Sequence, residues 1–136
     1  MDILLVDDDA LDRELFIEAI NLVGKGHHVK EAENGEEAIS VLTSSVFLPQ
    51  LIILDLNMPV KDGRATLQEL RAHKKFKRIP VCIMSTSAAS FDILTAYENG
   101  ANLFLVKPLD FNLLIEMLSS LLTLFGKHVT LPNLED

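Results

Sequence analysis

Four apolar runs organise this chain, and each stops on a polar residue: Ile3 to Val6 at Asp7 and Asp8, Leu51 to Leu54 at Asp55, Val81 to Met84 at Ser85, and Leu103 to Val106 at Lys107. Runs this short, bounded by turn signals, suit strands buried on both faces, while the segments between them carry helical period. Such alternation is the signature of βαβ units around a parallel sheet. It predicts strands at about 2–7, 28–33, 51–55, 80–85 and 102–106 and helices at about 10–23, 35–45, 63–74, 89–99 and 110–125. Right-handed crossovers then place helices on both faces of a five-stranded, doubly wound α/β sheet.

Local signals mark the joins. Asp9 and Asp12 read as an N-cap and an acidic first turn, Asn34-Gly35 and Asp62-Gly63 punctuate loops, and Gly100 stops the fourth helix. The tail from Gly126 alternates Val129, Leu131 and Leu134 with polar residues, and its Pro132 forbids helix. It reads as a packed extension or a loose end.

Parallel strands in such a sheet bring their carboxyl ends to one edge, where open α/β folds bind ligands. Asp7, Asp8, Asp55, Ser85 and Lys107 are thereby expected to converge. At an effective dielectric near 20, each carboxylate pair about 4 Å apart costs about 4 kcal/mol, so the trio needs cations. Lys107 supplies one charge, and a hard divalent ion with oxygen ligands, Mg²⁺ being the expected one, cancels the remainder. An aspartate oxygen beside such cations is a competent nucleophile toward phosphorus, and the product is an aspartyl phosphate. The phosphoryl group offers new acceptors to Ser85 and Lys107.

Composition narrows the setting. The chain has 136 residues and a formal charge of -8, which opposes non-specific attraction to nucleic acid. Five of its basic residues crowd into Arg71, Lys74, Lys75, Lys77 and Arg78, read as cations solvating a helix end and loop. The single cysteine, Cys82, lies within an apolar run and fits a buried thiol in a reducing, cytoplasmic setting. No stretch approaches the length of a membrane span. His27, His28, His73 and His128 lack metal-ligand spacing and read as surface or structural.

Val6-Asp7-Asp8, Leu54-Asp55-Leu56-Asn57-Met58-Pro59 with Asp62-Gly63, Ser85, Gly100-Ala101-Asn102 and Lys107-Pro108 together resemble the receiver domain of two-component response regulators over nearly all of residues 2–125. The resemblance implies the flavodoxin-like strand order 2-1-3-4-5. It implies that Asp55 accepts phosphate from a histidine kinase or phosphotransfer protein, and that Mg²⁺ is held by Asp8, Asp55 and the Asn57 backbone carbonyl, with Asp7 in support. Ser85 matches the switch hydroxyl, Lys107 the phosphate-contacting lysine, and Phe104 the switch aromatic, here without a tyrosine hydroxyl. Leu54 to Asn57, Ser85-Thr86-Ser87, Asp92-Ile93, Tyr97 and Val129 to Pro132 are more similar to the stand-alone receivers associated with phytochromes and other sensor kinases. Residues 1–125 are thus expected to be the receiver and 126–136 an extension without an output domain, signalling through a downstream protein partner or phosphorelay.

Other classes fit less well. A phosphohydrolase using Asp55 requires an acid two residues later, where Asn57 cannot donate a proton. An unphosphorylated adaptor has no use for the intact acidic set, and a flavodoxin-like cofactor module needs glycines and hydroxyls where this chain has acids. The last helix carries a second apolar stripe, Leu113, Met117 and Leu124, beside its sheet-facing one. That surplus is expected to form a homodimer or partner surface.

Overall fold

The computed structural model describes residues 1–44, 46 and 48–134. Ser45, the expected end of the second helix, and Glu135 and Asp136 of the tail lie outside the described residues. The strands are β1 (Asp2–Val6), β2 (His28–Ala32), β3 (Leu51–Leu54), β4 (Val81–Ser85) and β5 (Leu103–Val106). The helices are α1 (Ala10–Val23), α2 (Gly35–Ser44), α3 (Gly63–Ala72), α4 (Ser90–Glu98) and α5 (Phe111–Thr123). All strand pairs are parallel, in the order β2-β1-β3-β4-β5.

Each central strand divides its side chains between two cores, as the two-residue period of a strand requires. Leu4, Val6, Ile52, Leu54, Val81 and Ile83 face α2, α3 and α4, where Leu42, Leu67, Leu70 and Ala96 meet them. Ile3, Leu5, Leu51, Ile53, Cys82 and Met84 face α1 and α5, against Phe16, Ile20, Leu114, Leu118 and Leu122. Burial on both sides explains why these strands read as unbroken apolar runs.

Two details depart from the sequence reading, at the end of α5 and at Arg71, and a third decides between the two readings of the tail. α5 ends at Thr123, and a π-helical turn, Leu124–His128, continues from it. The tail is packed: Leu131 lies against the α1/α5 core and Leu134 against the α2/α3/α4 core. Arg71 does not solvate a loop, because its guanidinium donates to the carbonyls of Gly100, Lys77 and Ile79 and to Asn102 Oδ1. Gly100, at φ 100°, lies against that side chain, so its left-handed backbone and its lack of a Cβ are both required there.

Candidate functional site

The acidic cluster is assembled by register. β1 pairs with β3 so that Val6 lies beside Leu54, and the next residues, Asp7 and Asp55, emerge together at the carboxyl edge. Ser85 and Val106 are likewise partners across β4 and β5, which brings Ser85 and Lys107 to the same edge. α3 begins immediately behind Asp55. A Cβ at Gly63 would stand 2.2 Å from the Asp55 carbonyl oxygen, so only glycine lets the helix approach this strand end.

Carboxylate oxygens of Asp7, Asp8 and Asp55 lie within 4.8 Å of one another. Asp7 and Asp55 are buried, whereas Asp8 is exposed at the rim. Lys107 Nζ lies 2.7 Å from Asp7 Oδ2, 3.4 Å from Asp12 Oδ2 and 3.5 Å from Asp55 Oδ2. Asp7 is held at both oxygens, since its Oδ1 accepts the Asp9 N–H at 3.0 Å. Arg13 donates to the Asp7 carbonyl at 2.6 Å and fixes the strand end from α1.

Burial raises the pKa of Asp55 above the usual carboxylate value, and Asp7 and Asp8 add to this, while Lys107 and the Asn57 N–H oppose it. Burial alone would lower the Lys107 pKa, but its hydrogen bond to Asp7 and the fields of Asp55, Asp7 and Asp12 together raise it. The ammonium is therefore firmly charged at neutral pH. Cys82, buried near the start of β4 in the α1/α5 core, has its thiol pushed up to about 12 and is inert.

Asp12 corrects the sequence reading. Asp9 alone caps α1, accepting the Leu11 and Asp12 N–H groups, while the Asp12 carboxylate turns toward Lys107. Asp12 thus joins Asp7 and Asp55 on one lysine and, with Asp8 nearby, leaves a negative charge beyond the balance struck from three acids. The donor set fits a hard divalent cation: clustered carboxylate oxygens, one of them exposed, with no nitrogen or sulfur donor in the group.

Ser85 is fully buried, and its Oγ accepts the Ser87 N–H at 3.2 Å. Asn57 is exposed, and its N–H points to Asp55 Oδ1 at 3.4 Å. Phe104 is half-buried against the α2/α3/α4 core, and its N–H donates to the Tyr97 hydroxyl at 3.1 Å. Leu113 and Leu124 are exposed on α5 and the turn after it, 53% and 44%, whereas Met117 is half-buried against the core, which thins the second stripe. Sequence reasoning missed the link from Ser87 through Asp92 to Arg64, because nothing local joins residues 28 positions apart.

A family model for the response regulator receiver domain matches residues 3–119. Response regulator Rcp1 of Synechocystis sp. is 33% identical over 135 residues, covering 96% of this chain and 92% of that protein. The crystal structure of the phosphorylated cyanobacterial phytochrome response regulator RcpA superposes with a TM-score of 0.91 at 33% identity, covering 97% and 98% of the two chains. The Mn²⁺-bound form of Rcp1 gives 0.87 at 33% identity, covering 97% and 99%.

Proposed function

The chain belongs to the response regulator receiver domain family of phosphorylation-dependent signalling switches, and on that premise we propose that Asp55 is its phosphoacceptor. Receiver domains of this family bind a divalent metal at their acidic pocket and interact with histidine kinases and downstream targets. The observation that carries the assignment is the placement of Asp55: a buried carboxylate 3.5 Å from a charged lysine, with two further acids alongside.

In the proposed reaction an Asp55 carboxylate oxygen attacks the phosphorus of a phosphohistidine, forming the acyl phosphate P–O bond. The P–N bond breaks, and its electron pair leaves with the imidazole. Asp8, Asp55 and the Asn57 carbonyl would hold Mg²⁺, with Asp7 in support. When bound, the ion offsets charge on the transferring phosphoryl oxygens. Lys107 contacts the phosphoryl group, and the Ser85 hydroxyl, whose Oγ accepts the Ser87 N–H, turns to donate to it. The chain catalyses its own labelling and hydrolysis without an outside substrate to turn over.

Phe104 follows Ser85 as the switch aromatic. Exposed Leu113 and Leu124, with half-buried Met117, form the surface offered to a second copy or a downstream protein. Residues 1–125 constitute the receiver, and the stretch that follows is an extension whose Leu131 and Leu134 pack on it. The likeness to phytochrome response regulators supports a phytochrome-type histidine kinase, or a phosphotransfer protein, as donor in the cytoplasm. Among the described residues no helix is long and apolar enough to cross a membrane.

Intact-mass measurement after treatment with acetyl phosphate, with and without Mg²⁺, tests the assignment. A single phosphoryl increment that needs Mg²⁺ and maps to Asp55 is expected, and equal labelling of Asp55→Asn would refute it.

A further inference from the structure

Ser85 ends β4 beneath the acidic cluster, and the loop that follows is fastened at several points. Ser87 donates its N–H to Ser85 Oγ at 3.2 Å, and its own Oγ donates to Asp92 Oδ2 at 2.6 Å while accepting the Ala89 N–H at 3.2 Å. The other oxygen of Asp92 accepts from Arg64 Nη2 at 2.6 Å. Asp92 sits in the first turn of α4, and Arg64 is the second residue of α3. α3 cannot follow a moving loop, because Gly63 is pressed against the Asp55 backbone and donates to the Leu56 carbonyl at 2.8 Å. The chain of bonds therefore runs from the switch hydroxyl, through Ser87 and Asp92, to an anchor on a stationary helix.

We propose that Arg64 and Asp92 are positioning residues that latch the β4–α4 loop, through Ser87, in the unphosphorylated arrangement. The inference rests on Asp55 as phosphoacceptor. When Ser85 Oγ moves toward a group on Asp55, the Ser87 N–H that it accepts is drawn with it, and the loop shifts against the bond that ties Ser87 to Asp92. The latch opposes that shift, so its loss moves the population toward the active arrangement and raises the affinity for anything that mimics the phosphoryl group. A partly exposed ion pair of this kind changes such an equilibrium by roughly two- to fivefold.

The test is titration of the full chain with beryllofluoride, a tetrahedral mimic of carboxylate-bound phosphoryl, in Mg²⁺, for Arg64→Gln, Asp92→Asn and the double variant. Each single variant is expected to bind roughly two- to fivefold tighter than wild type, and the double variant no tighter than either, since both break one link. Arg64→Lys, which keeps the charge, is expected to restore wild-type affinity. A latch that serves only stability would change the melting temperature without beryllofluoride and leave the affinity alone. Unchanged or weaker binding by both single variants, or additive gains in the double, overturns the proposal. Failure of wild type to bind beryllofluoride at Asp55 would instead strike the phosphoacceptor assignment, so the two failures are separable.

Discussion

The two edges of the sheet are built in opposite ways. At the carboxyl edge Asp7, Asp12 and Asp55 share Lys107 with Asp8 alongside, and burial raises the pKa of Asp55. At the amino edge the tail crosses from one layer to the other, placing Leu131 in one core and Leu134 in the other. One edge gives up stability to hold charge that a cation or a phosphoryl group can use; the other adds apolar closure far from any chemistry. Strained electrostatics are thus confined to a single end of a well-packed scaffold, which leaves the site free to change state without loosening the cores.

Substitutions that act at one edge alone separate these roles. Asp55→Asn is expected to lose labelling by acetyl phosphate altogether, scored by intact mass, and yet to melt roughly 3 °C higher without metal, since a buried charge is removed. The sign follows from the raised pKa. As pH rises above 3.8 the unfolded chain loses this proton before the folded one does, so Asp55 lowers stability through that window and the deficit persists to neutral pH. The melting difference between wild type and Asp55→Asn should therefore be small at acidic pH and full at pH 7.

Lys107→Ala leaves the buried Asp7 carboxylate without its cation and is expected to cost about 3 kcal/mol in urea unfolding. It still permits labelling at Asp55 but blunts the change in partner binding that follows. Asp8→Ala, at the exposed rim, should weaken Mg²⁺ binding by at least roughly tenfold in calorimetric titration, with little change in the metal-free melting temperature. Leu134→Asp removes a half-buried contact at the other edge. It should lower stability by about 1 kcal/mol and leave the extent of labelling untouched; a loss of labelling there would show that the two edges are coupled.

Periodicity and punctuation carried the sheet, its helices and the convergence of Asp7, Asp8, Asp55, Ser85 and Lys107. The runs of the central strands β1, β3 and β4 are buried on both faces and so apolar throughout, and the first polar residue after each run marks the carboxyl edge; β5, an edge strand, is apolar although only half-buried. Asp12 was misread because the acidic first turn of a helix and an inward-facing carboxylate look alike until the angle between α1 and β5 is known. Arg71 was misread for a related reason: a cation in a basic stretch looks solvated until the carbonyls it meets from β4, β5 and the loops beside them are in place.

By itself the sequence determined which residues could be strands, helices and caps, because those depend on neighbours a few positions away. It also determined the chemistry of the edge, because acids, a hydroxyl and a lysine fall at the ends of successive runs. Only the tertiary structure decided that Asp12 joins the lysine, that the tail spans both cores, and that Arg64, Asp92 and Ser87 form one chain of bonds. Those contacts join residues far apart along the chain, and no local pattern encodes a distance that exists only after the helices pack.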